Sequence, residues 1–404
     1  MKKRSLLGPG FISGASDADP TTVASLAVVG AATGYLLSWL VVLLLPMIAV
    51  VQSIAAAIGA RQTSIQGAIR RHYGLTWAWL ALLAVLAVNL ITLSADIEAG
   101  AESLAMLSGV PRVIFVLPFA AGVAWLLVRR SYLRVERLLS YLPFIFLCYG
   151  ISAVLARPDW GALVHAIFVP RFNLTPPVVG GALALLGTTL TSYVYYWESI
   201  EVAERGTLPS QTRSMQADAA WGALAPGVCF LFILVATAAT LGKTHTSVQT
   251  ATDAAVALQP LAGRWATALF AIGLLGSAAI AVPVLAGTSA YVVAQTFGWR
   301  AGLDAPFAKA RSFYAVLIGS LALSAAFALV GVSPIALLYW ASVAGGLATP
   351  ITLWLLLAVA RNRAIMGARR IGLWLAAAGG IVAAVVTVSC VVFLVTLVYA
   401  PASP

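Results

Sequence analysis

Of the 13 acidic residues in this 404-residue chain, Asp17, Asp19, Asp96, Glu98, Glu102 and Glu198 fall inside or beside long apolar runs. A carboxylate in hydrocarbon costs several kcal/mol unless it is paired or hydrated, and no lysine or arginine lies within those runs to neutralise the set. Carboxylates without basic partners suit a transient cation. Asp19 stands out, because Asp19-Pro20-Thr21-Thr22 follows Gly14-Ala15-Ser16-Asp17-Ala18, a stretch too polar to continue an apolar helix. From the residues alone Asp19 reads either as an ion ligand or as the N-cap of a helix that Pro20 begins. Glu98 and Glu102 share a helix face at i, i+4; they belong either to an ion or proton pathway with Asp96, Tyr193 and Glu198 or to a solvated helix end.

The elements that position these groups are set by the solvent. Hydrophobic residues make up 61% of the chain, charged residues 9%, and mean hydropathy is +0.98, against roughly 25% charged residues in soluble domains. A bilayer core needs about 20 apolar residues per helix. Runs of that kind recur at 8–31, 35–58, 76–107, 111–128, 138–156, 176–203, 218–242, 262–296, 312–331, 335–359 and 371–398. Stretches such as 35–58, 218–242 and 371–398 are apolar on every side, which excludes the alternating pattern of a membrane barrel. The expectation is an all-α integral membrane protein of about 11 transmembrane helices.

The net charge of +11 is a topology signal and not a sign of nucleic-acid binding. With the N-terminus inside, 19 Lys and Arg fall in inner linkers and 5 (Arg112, Arg157, Arg171, Lys243, Arg264) in outer ones, which accounts for all 24 and follows the positive-inside rule. An odd helix count then places the N-terminus in the cytoplasm and the C-terminus outside, in an inner (plasma) membrane. A cleaved leader is the rival reading of Met1-Lys2-Lys3-Arg4, but Asp17, Asp19 and Pro20 interrupt the apolar stretch that follows. Linkers 59–75, 157–175, 204–217 and 297–311 read as loops, so residues 1–404 form one transmembrane domain.

Two spans are interrupted in the same way. The first carries the Asp17–Asp19 stretch, and the sixth carries Gly187-Thr188-Thr189-Leu190-Thr191-Ser192 after Gly180 and Gly181. Five spans separate them. Paired interruptions at the head of two five-helix halves point to an inverted-repeat, LeuT-like 5+5 transporter with its site at the midplane, with repeats at about 8–156 and 176–359 and an extra helix at 371–398. Packing kinks are the alternative. Cys148, Cys229 and Cys390 sit singly in apolar spans and read as packing residues. His72, His165 and His245 fall in or near loops. No H-E-x-x-H, nucleophile elbow or P-loop occurs, so no enzyme, catalytic residue or cofactor is expected.

Leu7-Gly8-Pro9-Gly10-Phe11 followed by Asp19-Pro20-Thr21-Thr22 resembles the natural resistance-associated macrophage protein (Nramp) family of divalent-metal transporters. Ala281-Val282-Pro283-Val284-Leu285-Ala286-Gly287, Phe297-Gly298-Trp299-Arg300 and Leu338-Tyr339-Trp340 are similar to a bacterial branch that includes magnesium transporters. The resemblance implies that Asp19 is the metal-binding aspartate and that Thr22 stands for the family's asparagine. In the sixth span it puts Thr188 at an alanine, Thr191 at a methionine, Ser192 at a proline, Tyr193 at a histidine and Glu198 at a later histidine. Loss of the thioether leaves hydroxyl, carbonyl and carboxylate oxygens, which favour hard cations.

The implied substrate is a divalent cation, Mg2+ first and Mn2+ next, held by Asp19, Thr22, Thr188 and Thr191, with Asp17 attracting the ion or its hydration shell. Without the family's histidines, proton coupling is not required: a divalent ion entering down a 100 mV potential, negative inside, releases about 4.6 kcal/mol. An amino-acid or organic-amine transporter of the same fold is the alternative, with Tyr193, Tyr195, Tyr196 and Trp197 either caging an ammonium or simply packing. The partners expected are the ion and the lipid bilayer, with no obligatory protein partner.

Overall fold

The structure is a computed structural model that describes residues 14, 16–129, 148–171, 174–205, 212–243, 248–303, 305–330 and 333–399, without the side chains of residues 225 and 226. The Leu7–Phe11 motif, His245, the inner arginines at 130, 134 and 137, and residues 138–147 of the fifth expected span lie outside the described residues.

Seventeen α-helices follow one another among the described residues, with no strand. They are α1 (Pro20–Thr33), α2 (Ser38–Gly59), α3 (Ile65–Tyr73), α4 (Leu75–Ser108), α5 (Val113–Val128), α6 (Cys148–Leu155), α7 (Trp160–Phe168), α8 (Pro176–Thr189), α9 (Ser192–Glu204) and α10 (Thr212–Thr240). Then come α11 (Ala251–Val256), α12 (Gln259–Ala262), α13 (Ala266–Phe297), α14 (Arg311–Ala328), α15 (Pro334–Arg361), α16 (Arg363–Met366) and α17 (Leu373–Tyr399).

Eight stretches are long and apolar enough to cross a bilayer: α2, α4, α8 with α9, α10, α12 through α13, α14, α15 and α17. The apolar α1 and α5 are shorter, at 14 and 16 residues. Two of the expected loops contain helices. Linker 59–75 folds α3, which is capped by Ser64 and buries Ile65, Gln66, Ala68 and Ile69 while exposing Arg70, Arg71 and His72. Linker 157–175 folds α7, capped by Asp159. Nine-residue helices are too short for a membrane-length hydropathy window to register, and the polar face of α3 dilutes its apolar signal further.

α4 runs along α13, α10 along α2, and α8 along α15. Small residues make the last of these close. A Cβ on Gly187 would come within 2.1 Å of both the Ser342 carbonyl oxygen and the Gly346 nitrogen, so the two backbones touch there, as small residues permit in membrane helix pairs. α17 lies at the periphery, with Trp374 91% exposed and Leu373, Val398 and Tyr399 also bare. In water such a surface would be a liability; against lipid tails it is the ordinary outer face of a bundle.

Candidate ion site at the two helix breaks

Residues 16 and 17 are helical, the chain turns at Ala18 and Asp19, and α1 starts at Pro20. Asp19 is the N-cap: its Oδ1 accepts from the Thr22 amide at 2.7 Å and from the Thr21 hydroxyl at 2.6 Å. Its other oxygen, Oδ2, accepts from the Tyr193 hydroxyl at 2.8 Å. The two readings of Asp19 therefore coexist in one side chain, which caps α1 and presents a carboxylate at the break. Pro20 needs no amide partner at N1, which is why the helix restarts there.

The sixth span breaks between α8 and α9 at Leu190 and Thr191, later and more tightly than the expected 187–192 stretch. Thr188, in the last turn of α8, reaches back to the first break: its hydroxyl lies 2.8 Å from that of Thr22 and 3.1 Å from that of Thr21. Thr22 also donates to the Asp17 carbonyl at 2.9 Å. Thr191 is the buried N-cap residue of α9 and makes no side-chain cap bond. Tyr193, in the first turn of α9, also reaches the Ser16 carbonyl at 2.8 Å, so it spans the break of the first helix.

Asp17 is fully buried, and neither of its carboxylate oxygens has a hydrogen-bond partner among the described residues. Asp96 of α4 is equally buried; it lies within electrostatic reach of Asp19 and beside the Thr21 amide, without a well-formed hydrogen bond to its carboxylate oxygens. Tyr193 sits within reach of all three aspartates. No described Lys or Arg forms an ion pair with any of them. The site also lacks a ready-made cage: among the described residues no three His, Cys, Asp or Glu side chains are grouped to hold a metal. An ion here would need hydroxyl and main-chain oxygens to complete its shell.

Glu98 and Glu102 depart from the reading that all the intramembrane acids lack basic partners. Arg112, just before α5, stands 3.2 Å from the buried Glu98 carboxylate, and Glu102 lies next to Glu98. The chain turns back at Gly109, so an arginine assigned to an outer linker folds down onto the last turns of α4. Glu198 is buried midway along α9. Glu204 is exposed at the end of α9 and accepts from the Tyr291 hydroxyl, while Arg205 pairs with Glu201. Tyr195 donates to Thr352 and Trp197 packs edge-on against Tyr291. The aromatic run is thus divided among separate contacts and forms no cage.

Several members of this centre carried no sequence signal. Ser277 of α13 donates to the Ala18 carbonyl, Ser25 donates to Ser342 at 2.8 Å, and Thr349 donates to the Leu190 carbonyl at 3.4 Å. α15 therefore touches both broken helices through hydroxyls. Lone serines and threonines in apolar helices usually bond their own i−4 carbonyl, as Thr349 also does, so spacing alone does not single them out.

With this geometry the chain can be set against known proteins. Its fold matches that of an Eremococcus coleocola manganese transporter, with a TM-score of 0.72 at 18% identity over 96% of this chain and 85% of that one. MhsT in complex with L-phenylalanine gives a TM-score of 0.59 at 14% identity, over 98% and 99% of the two chains. The architecture is LeuT-like. A divalent metal cation transporter MntH of Xanthomonas campestris is 30% identical over 290 residues, or 67% of this chain and 64% of that protein. The MntH of Deinococcus radiodurans is 28% identical over 296 residues, or 70% and 67%. The match thus spans just under two thirds of the Xanthomonas relative. The natural resistance-associated macrophage protein-like family matches residues 10–396, and the chain belongs to that Nramp family.

Proposed function

We propose that this protein moves a divalent metal cation across the inner membrane by alternating access, with Mg2+ the preferred ion and Mn2+ the next. The observation that carries the reading is Asp17: a buried carboxylate with no hydrogen bond to either oxygen among the described residues, two residues from Asp19 at a break in a membrane helix. A charge left in that state is costly, and a cation that docks beside it offsets the cost. The names of the relatives, divalent metal cation transporter and manganese transporter, support a divalent ion. The donors of this chain support a hard one, because Thr22, Thr188, Thr191 and Tyr193 offer only oxygen.

In this reading Asp19 supplies charge while anchoring α1, and Asp17 attracts the ion. The hydroxyls of Thr22 and Thr188, now bonded to each other, turn toward the ion when it arrives. Tyr193 must give up its bond to Asp19 Oδ2 for that oxygen to become a ligand. Asp96 adds a third carboxylate near the first two; so much negative charge at the break disfavours the carboxylate of a zwitterionic amino acid, and the divided aromatic run offers no cage for an organic ammonium. The N-terminus faces the cytoplasm and the C-terminus the outside.

Calorimetric titration of the purified protein with Mg2+, Mn2+, Cd2+ and a panel of amino acids tests the substrate. Saturable heats with Mg2+ and Mn2+ and none with amino acids are expected. Binding of an amino acid without any response to metal would replace this reading with the organic one. For orientation, an impermeant thiol reagent on intact cells should label a cysteine placed at Ser403 and spare one at Lys3.

A further inference from the structure

The end of the molecule that carries α3 holds a cavity of about 450 Å3 between α3, α9 and α13, within the range of about 300–1,000 Å3 typical of small-molecule sites. Its charged lining consists of Arg70, Arg71 and Glu204. Glu204 is engaged by the Tyr291 hydroxyl, and neither arginine has an acidic partner among the described residues.

Both guanidinium groups are nevertheless held in place. Arg71 donates from Nε to the Gly67 carbonyl at 3.1 Å and from Nη2 to Thr63 Oγ1 at 2.9 Å. Arg70 donates from Nη1 to the Gln295 carbonyl at 3.4 Å and rests on Gly298, where an added Cβ would come within 2.2 Å of Nη1. Gly298 has φ +73 and closes α13, so glycine there serves the turn and the close approach together. A guanidinium has five N–H donors. The bonds just described use one from Arg70 and two from Arg71, which leaves two pre-oriented forks with donors to spare beside a cavity that Thr63, Ser64 and Gln295 also line.

We propose that this cavity binds an oxyanion of the phosphate class between Arg70 and Arg71. Planar guanidinium forks match phosphate oxygens two at a time, and positioning them in advance reduces the entropy lost on binding. The same pair repels a metal cation, so the cavity differs in kind from the carboxylate centre. A bound anion ties α3 to α13 beside the end of α9. On the transport reading above, it therefore slows any motion that parts α3 from α13.

Phosphate can come from solution or from a lipid headgroup, and the experiment separates the two without using any metal, so its outcome is independent of the ion-transport reading. The thermal unfolding midpoint of the full chain in neutral detergent is followed against inorganic phosphate at constant ionic strength. It is then compared between nanodiscs of neutral lipid and discs containing phosphatidylglycerol. A saturable rise in wild type, with half-saturation weakened about tenfold or more in Arg70→Gln/Arg71→Gln, identifies free phosphate as a ligand. A rise only with phosphatidylglycerol, lost in the same variant, identifies the headgroup as the phosphate bound at this site. The Arg70→Lys/Arg71→Lys variant keeps both charges and loses the forks, so it should also bind more weakly. No response of wild type in either arm, equal responses from wild type and the glutamine variant, or undiminished binding by the lysine variant would overturn the proposal.

Discussion

Two groups of buried acids sit in this membrane protein, and they are neutralised in opposite ways. At the end of α4, Glu98 is buried and faces Arg112 at 3.2 Å, so the protein supplies its own cation. At the helix breaks, Asp17, Asp19 and Asp96 have no described basic partner; the Asp19 carboxylate is satisfied by hydroxyls and an amide, while that of Asp17 has no hydrogen-bond partner among the described residues. A permanent ion pair fixes structure, because removing one member leaves an uncompensated charge. A carboxylate left without a partner is ready for a mobile one. The contrast separates an acid that the bundle pairs within itself from acids that it leaves without a described counter-charge, which the transport reading assigns to the ion.

The largest expected effect breaks the central group: Asp19→Ala should reduce divalent uptake in reconstituted vesicles to background. The variant should remain folded, since a lost N-cap costs about 1 kcal/mol against a total stability of about 5–15 kcal/mol. Normal uptake, or simple unfolding, would remove the ligand role. Next comes the rim. Arg112→Ala leaves Glu98 unpaired and should cost up to about 3 kcal/mol in denaturant or thermal unfolding, with uptake per folded molecule changed by less than about twofold. If uptake collapses while stability holds, the rim belongs to the ion path and the contrast is wrong.

Thr191→Met probes selectivity at the centre. A thioether should favour Cd2+ or Mn2+ over Mg2+ by about tenfold, about 1.4 kcal/mol, read by competition against Mg2+ flux. An unchanged ratio with intact uptake would mean that Thr191 does not face the ion. The smallest effect is expected from Thr188→Val, which removes the hydroxyl shared with Thr21 and Thr22 and should cost about 1 kcal/mol of stability. A larger loss of stability than in Arg112→Ala would reverse the ranking of the two regions.

The membrane class, the broken first and sixth helices and the family were legible in the sequence, because long apolar runs, Asp-Pro and clustered Thr and Gly leave strong local signals. What was hidden depends on neighbours far apart in the chain. Arg112 looked like an outer-loop charge, since nothing local says that the turn at Gly109 folds it onto Glu98. Tyr193 looked like a position on a pathway, and its bond to Asp19 is set by how α9 restarts after Leu190. Thr21 looked incidental next to Thr22, yet it bonds both Asp19 and Thr188. α3 and α7 were hidden for another reason: a nine-residue helix has no periodic signal long enough to stand out from a loop.

The touching backbones of Gly187 and Gly346 have a mechanical consequence. With no side chain between them there is no soft layer to absorb a displacement, so α8 and the facing part of α15 behave as one lever. The nearest freedom lies at Leu190 and Thr191, where the helix is already parted. A Gly187→Ala substitution would wedge that lever open at its tightest point, and the strain would be felt three residues along the chain, at the fulcrum.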